Sequence, residues 1–320
     1  MRIGIAGAGF MARTHAAAYA EMDVDVVAVS SPSGPDEFIA EFEFDAAAHT
    51  DVSTLCESEA IDYLDVCTPT HTHLELVRTA ADAGVDVFLE KPIAGTLKTA
   101  REIADTVDDA GLTLMVGHVV RFMPNYRRAR ALEIGSEGVA RARRLSPFPE
   151  WGSADWFADR EKSGGVFVDL AIHDLDYLRW CWGNVERVFA RRTRDDRAEH
   201  GFVTLRFENG AVGYVEASWA QPESRPLTAE LEFAGDDGLV EFSSADETPY
   251  REWTDESAVV ESPIARDGYR RELEHFVTCL ESGDEPDVGA DEAVEALRLA
   301  IAAERSADRG QPVVPEEVVP

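Results

Sequence analysis

Lysine is nearly missing from this chain. Three occur among its 320 residues, at Lys91, Lys98 and Lys162, and arginine supplies every other base. Bases as a whole are outnumbered, 30 against 62 acids, for a formal net charge of −32. A field of that sign repels nucleic acid and anionic membrane surfaces, so neither is an expected partner. Charges interrupt every apolar stretch, and none reaches the ~20 residues of a membrane span. The opening MRIGIAGAGF turns directly into a strand and glycines, with no apolar signal core; the expected location is the cytoplasm. Cysteine is sparse too. Cys56, Cys67, Cys181 and Cys279 lie far apart with no C-x-x-C pair, which suits small core residues in a reducing compartment rather than a disulfide frame.

What is present begins with the acids, which are spread along the whole chain rather than gathered in a tail. Self-repulsion on that scale destabilises a compact state at low salt. It is screened at molar salt, where the Debye length is about 3 Å. The composition is therefore read as that of a halophile protein. Apolar residues make up 45%, enough for sizeable cores, and the length favours two domains.

The first 117 residues alternate strand and helix patterns. Apolar runs at Ile3–Ala6, Val24–Val29, Ile61–Cys67, Val85–Leu89 and Leu112–Val116 are separated by helical stretches at Met11–Ala20, Asp36–Phe42, Thr72–Ala83 and Leu97–Ala110. Short buried runs between amphipathic segments predict a doubly wound parallel sheet with helices on both faces. Beyond Gly117 the rhythm changes. Helices are expected at Asn125–Glu133 and Val168–Trp182. Alternating segments follow at Val185–Arg191, Phe202–Phe207, Val212–Trp219, Ala229–Phe233 and Leu239–Phe242, then helices at Tyr269–Ser282 and Ala290–Ala307. The alternation predicts a large, mostly antiparallel sheet in an α+β domain. The expected division is 1–118 for a dinucleotide-binding domain and 119–320 for a substrate-binding and oligomerisation domain, with the last helix able to pack back on the first.

Gly7, Gly9 and Ala12 follow a strand and open a helix, fitting G-x-G-x-x-G/A. In that motif the first glycine permits a tight turn, the second lets the backbone approach a pyrophosphate, and the third small residue allows close packing. Phe10 and Met11 supply backbone there. A carboxylate about 20 residues beyond the glycines would hold the ribose 2′-hydroxyl of NAD. Here the second strand ends Val29-Ser30-Ser31-Pro32, with no carboxylate before Asp36. Ser30 and Ser31 suit a 2′-phosphate, but no lysine or arginine lies between Arg13 and Arg78. The lean is to NADP over NAD, with Arg13 as the available cation. Glu90-Lys91-Pro92 ends what reads as the fourth strand, where ligands of open parallel sheets lie. A lysine retained there, in a chain nearly free of lysine, is informative; alone it is equally a loop lysine beside a structural proline. In Gly164-Gly165-x-x-x-Asp169-x-x-x-His173-Asp174, a carboxylate stands four residues before an imidazole, on one face of a regular helix. It can orient the ring and raise its basicity, as a general base needs. Alone, the pair is equally a helix cap and a core histidine.

Together these elements resemble the Gfo/Idh/MocA family, the relatives of glucose–fructose oxidoreductase and inositol dehydrogenase. The matching features are GAGFMA, Thr68-Pro69-x-x-x-His73, Glu90-Lys91-Pro92 and the 164–174 run. The Ser30-Ser31-Pro32 loop departs from the pattern and leaves NAD against NADP open. The resemblance implies hydride transfer between nicotinamide and a hydroxyl or keto carbon of a sugar or cyclitol, with Lys91, Asp169 and His173 as catalytic groups. Thr68, Pro69, His73 and Glu90 would line the cofactor cleft, and the second-domain sheet would form the interface of a homodimer or homotetramer. His118, Arg121, Asn125, Tyr126, Trp151 and Trp156 are candidate substrate contacts, each equally readable as packing. No metal is expected, since beyond Asp169 and His173 no His/Cys/Asp cluster has ligand spacing. Two other functions stay open: an enzyme that retains its cofactor for elimination or glycoside cleavage, and a non-catalytic dinucleotide- or sugar-binding regulator.

Overall fold

The structure, a computed structural model, describes the chain except residues 133–137, 151–155, 196, 247–249, 254–257, 262–267 and 320; for 250–253 and 258–261 it describes the backbone alone. The described residues form two compact units. The first comprises Met1–Val119 and Gly268–Val294, with Trp156; the second comprises Val120–Glu150, Phe157–Asp267 and Glu295–Pro320.

In the first unit, β1 (Arg2–Ala6), β2 (Asp25–Ser30), β3 (Ala47–His49), β4 (Tyr63–Val66), β5 (Asp86–Leu89) and β6 (Leu114–Val116) form one parallel sheet, ordered β3-β2-β1-β4-β5-β6. The helices between them are α1 (Phe10–Tyr19), α2 (Asp36–Glu41), α3 (Val52–Ser58), α4 (His73–Ala83) and α5 (Leu97–Ala110). Ile3, Ile5, Leu64, Val66, Val87, Phe88 and Leu89 are fully buried, because parallel strands covered on both faces bury both side-chain rows. α9 (Gly268–Ser282) also belongs here, with Phe276 set edge-on against Tyr63. The order reverses between β1 and β4, and that switch point is where such sheets bind ligands. β3 and α3 have no counterpart in the sequence reading. A three-residue Ala-Ala-His strand carries no β-branched signal, so the strand bearing Leu89 is the fifth, not the fourth.

In the second unit, α6 (Pro124–Ala131), β7 (Val139–Leu145), α7 (Arg160–Ser163) and α8 (Ile172–Trp182) precede a run of strands. These are β8 (Val185–Arg194), β9 (Glu199–Phe207), β10 (Val212–Ser218), β11 (Thr228–Gly235), β12 (Gly238–Ser243), β13 (Tyr250–Trp253) and β14 (Ala258–Glu261). With β7 they make an eight-stranded sheet, β14-β13-β12-β11-β7-β10-β9-β8. Every pairing is antiparallel except β7 with β10. β7, the one strand between β11 and β10, was not foreseen. Its sequence, VARARRL, buries Ala140, Ala142, Arg144 and Leu145. A face built from alanines and a paired arginine carries too little hydrophobicity to register. α10 (Ala290–Arg309) spans the division between the units.

Candidate functional site

The turn after β1 is built around Gly7. Its φ of +115° lies where L-residues are strained, and a Cβ there would come within 2.6 Å of the Cys67 carbonyl oxygen. Glycine thus lets β1 and β4 close together at the switch point. Gly9 caps α1, and a Cβ on it would meet no atom within 4 Å. Its freedom from a side chain therefore serves no packing need within the protein. Open space before the first-turn N–H groups of Phe10 and Met11 fits a pyrophosphate, which the helix terminus favours. Ala12 is fully buried, as the close helix–strand packing requires.

At the end of β2, Ser30 and Ser31 are 3% and 8% exposed. The Ser31 hydroxyl lies 3.3 Å from that of Ser33, and the Ser31 N–H donates to the His49 carbonyl. Arg13 reaches from α1 to pair with Glu41 of α2, its guanidinium 5.7 Å from the Phe38 ring centre. The cation noted in the sequence is thus already matched by an acid of α2 at a half-exposed position.

Thr68 and Pro69 follow β4, partly exposed, with the Thr68 and Thr72 hydroxyls 2.7 Å apart. His73 is fully buried, so its side chain does not line a cleft. Its Nε2 lies 3.1 Å from the Thr68 carbonyl and its Nδ1 3.3 Å from that of Ile93, tying the two loops together. Burial holds its pKa below the ordinary histidine value despite those contacts, and a neutral ring donates to only one of the two carbonyls at a time. Lys91 is partly exposed just beyond β5, followed by a cis peptide bond to Pro92. Its N–H donates to Glu90 Oε2 at 3.1 Å. Glu90, expected beside the cofactor, is instead 5% exposed and turned into the core.

There it meets residues that sequence reasoning missed. His15, fully buried on α1, places Nδ1 2.9 Å from Asp65 Oδ2 and Nε2 3.1 Å from Glu90 Oε1. The second is an ionic contact rather than an aligned hydrogen bond. Tyr19 donates to Asp65 at 2.9 Å and accepts from Tyr63 at 3.1 Å, while the Cys67 sulfur lies 3.2 Å from His15 Nδ1. Burial opposes charge on His15, but Asp65, with Cys67 adding to it, holds its pKa well above the ordinary value. The Asp65 carboxylate thus favours the protonated ring. Glu272 on α9 is fully buried, and neither of its carboxyl oxygens has a hydrogen-bond partner. Burial, and then the nearby Glu90, raise its pKa well above the usual carboxylate range. His15, Asp65 and Cys67 also bring one ligand-type atom each within 4.8 Å of one another. Burial drives the Cys67 thiol far up, so the trio is a hydrogen-bonded cluster with a protonated sulfur. One apolar-looking helix, ARTHAAAY, hid all of this, because the partners lie 50 to 75 residues away.

In the second unit, Gly164 and Gly165 have φ of +73° and +75°. They lead into a π-helical turn, Phe167–Ala171, which carries Asp169 and runs into α8 with His173 in its first turn. The regular helix expected over 168–182 therefore begins with a wider turn. Such turns are rare and concentrate at functional sites. Asp169 is 9% exposed and His173 partly exposed. Three acids hold this segment. Glu199 of β9 accepts from the Val166 N–H at 2.9 Å and from Arg160 at 2.7 Å. Asp174 takes both ends of Arg144, at 3.0 and 2.8 Å, and Asp176 both ends of Arg121, at 2.7 and 2.5 Å.

The substrate candidates fare differently. Arg121 is 1% exposed with its fork on Asp176, so it is part of the core of its unit rather than a reader of carboxylates. Tyr126 is 1% exposed and packs edge-on against Tyr177; burial pushes its hydroxyl up to about 12. His118 is 1% exposed. Asn125 lies in the first turn of α6, and Trp156 is partly exposed in a turn. Trp151 lies outside the described residues.

Residues 1–118 match the family model described as an oxidoreductase family with an NAD-binding Rossmann fold, and residues 127–241 match the GFO/IDH/MocA C-terminal domain. The chain is similar to D-xylose 1-dehydrogenase (NADP(+)) 2 of Haloferax volcanii, 30% identical over 83% of this chain and 84% of that one. It is similar also to myo-inositol 2-dehydrogenase of Thermotoga maritima, 29% identical over both full lengths. Among solved structures, a probable dehydrogenase from Thermotoga maritima superposes with a TM-score of 0.85 at 28% identity, covering both chains completely. With the glycine turn at the switch point, Lys91 beyond β5 and matches along both halves, the chain belongs to the Gfo/Idh/MocA family of NAD(P)-dependent oxidoreductases.

Proposed function

We propose that this protein moves a hydride between a nicotinamide dinucleotide, preferentially NADP, and a hydroxyl or keto carbon of a sugar, cyclitol or derivative. Lys91, Asp169 and His173 are its catalytic groups. The observation that carries the reading is Lys91: one of three lysines in the chain, held by its main-chain N–H just past the carboxyl end of β5. The substrate class follows the relatives, whose names specify xylose and myo-inositol. NADP is supported by the lack of a carboxylate at the end of β2, by Arg13 as the cation available on α1, and by the NADP of the Haloferax relative's name.

A bound nicotinamide would supply the hydride acceptor in the oxidising direction. His173 takes the hydroxyl proton, and Asp169 orients or assists it. The Lys91 ammonium donates a hydrogen bond to the substrate oxygen and stabilises the charge that develops there. Gly7, Gly9, Phe10 and Met11 hold the pyrophosphate, Ser30 and Ser31 the ribose end, and Thr68 and Pro69 the nicotinamide side. Residues 1–118 bind the dinucleotide and 119–320 the substrate. Homo-oligomer formation through the large sheet suits the exposed Val139, Phe202 and Val212 on β7, β9 and β10. The net charge of −32 suits a cytoplasm with molar salt.

The test is fluorescence titration with NADPH and NADH in molar KCl, then a screen of pentoses, inositols and sugar acids for stoichiometric NAD(P)H formation. Lys91→Ala is expected to lower kcat by about 10²–10⁴ with dinucleotide affinity kept, the range for a lost proton-handling or oxyanion-stabilising group. Failure of the folded protein to bind either dinucleotide at high salt sinks the proposal.

A further inference from the structure

We propose that His15 is a positioning residue for Lys91, acting through Glu90 from within the core of the first unit. This rests on Lys91 as the catalytic lysine for its functional meaning, but its physical content concerns the Lys91 main chain alone.

Lys91 lies beyond the last hydrogen-bonded residue of β5, so strand pairing ends before it. Its main-chain N–H donates to Glu90 Oε2 at 3.1 Å. That bond is only as well placed as the Glu90 carboxylate. The other oxygen of the carboxylate, Oε1, lies 3.1 Å from His15 Nε2 and would stand 3.3 Å from a Cβ on Gly117. His15 is itself fixed. Its Nδ1 is bound to Asp65, Tyr19 anchors Asp65 in turn, and the ring stands edge-on to Phe88 at 5.5 Å. One imidazole ring thus bridges carboxylates at the ends of adjacent strands β4 and β5, and the second carboxylate grips the residue that carries the reactive amine.

The alternative is that His15 merely neutralises buried acids. Among the described residues, no lysine or arginine enters this cluster, and Glu272 remains beside it without a hydrogen-bond partner. A counter-charge with no positional task has no need to sit between two carboxylates with its ring locked. In this arrangement, loss of His15 leaves the Glu90 carboxylate without the ring that fixes its position, and a carboxylate that reorients releases the Lys91 N–H.

The test uses the full chain in molar KCl and two readouts that need no substrate. In hydrogen–deuterium exchange followed by mass spectrometry, His15→Gln is expected to speed exchange in the peptide containing the Lys91 amide by about tenfold. Peptides from β1, β2 and α5 should stay at the wild-type rate. Amine labelling supplies the second readout: with three lysines in the chain, Lys98 and Lys162 are internal standards. The labelling rate of Lys91 relative to both should change in His15→Gln. The double variant His15→Gln/Glu90→Gln restores a neutral acceptor for the Lys91 N–H and should return both readouts toward wild type. If His15→Gln does not fold, Glu90→Ala against Glu90→Gln asks the same question, with fast exchange expected only for the alanine. Unchanged exchange at Lys91, or a uniform rise across the sheet, overturns the proposal. In turnover, His15→Gln should lower kcat with little change in dinucleotide affinity. If Lys91→Ala leaves turnover intact while the exchange result holds, it is the catalytic assignment of Lys91 that falls, not the strut.

Discussion

The two units bury polar groups in opposite ways. In the first, a chain of titratable groups runs Tyr63–Tyr19–Asp65–His15–Glu90, with Glu272 alongside and a single imidazole as its basic group. In the second, two deeply buried pairs are matched one to one: Arg121 with Asp176 and Arg144 with Asp174, each bidentate and each pair within 7% exposure. Guanidinium stays charged at any pH a protein meets, and its planar fork fits a carboxylate, so such pairs make static pins. A histidine–carboxyl–phenol chain changes its proton count with pH. The second unit uses its pins to anchor α8 beneath His173. The first uses its titratable chain behind Lys91, so its stability responds to pH through His15 and Glu272.

The largest effect expected from breaking this contrast is at the pins. Asp176→Ala leaves the Arg121 guanidinium buried and unmatched, and should cost about 3–5 kcal/mol. Chemical denaturation at pH 6 and pH 8 should give the same loss. A loss that varied strongly with pH would mean the pair is not the static element described. Next comes Glu272. A folded-state pKa above the unfolded one means the native state holds the extra proton, so stability is full below about 4.5 and falls as pH rises toward the folded value. His15 has the same sign, with its contribution present below about 6.5 and lost as pH rises through its raised folded value. Glu272→Gln is therefore expected to raise the melting temperature more at pH 8 than at pH 5 and to flatten the pH profile. An equal shift at both pH values would show that Glu272 is ionised in the fold. The smallest effect is expected at the half-exposed pair of Arg13 and Glu41, which belongs to neither buried scheme. Stability should move by about 1 kcal/mol or less. The readout there is selectivity: Glu41→Gln frees Arg13 and should tighten NADPH over NADH about three- to fivefold, a difference on the scale of one exposed ion pair. Arg13→Ala should do the reverse.

Much of this was legible in the sequence, for reasons of local physics. Buried parallel strands must be apolar on both faces, so β1, β2, β4, β5 and β6 announce themselves. A tight turn facing a neighbouring carbonyl admits only glycine, so Gly7 could be read in its role. Lys91 stood out because a chain of net charge −32 has so little lysine. What escaped was whatever depends on partners distant in sequence. β7 looks like a basic surface segment until Arg144 meets Asp174, and Arg121 looks like a substrate reader until Asp176 takes its fork.

By itself, then, the sequence determined the strand–helix alternation of the first half, its glycine turn and the family, because periodicity, turn residues and motif spacing are properties of neighbours along the chain. Tertiary structure alone decided that the segment carrying Asp169 opens with a π-helical turn and that Glu90 faces inward. It also set His15 between two carboxylates. Whether a buried charge is tolerable depends on what stands within about 3 Å of it, and in this chain those neighbours lie 30 to 75 residues away.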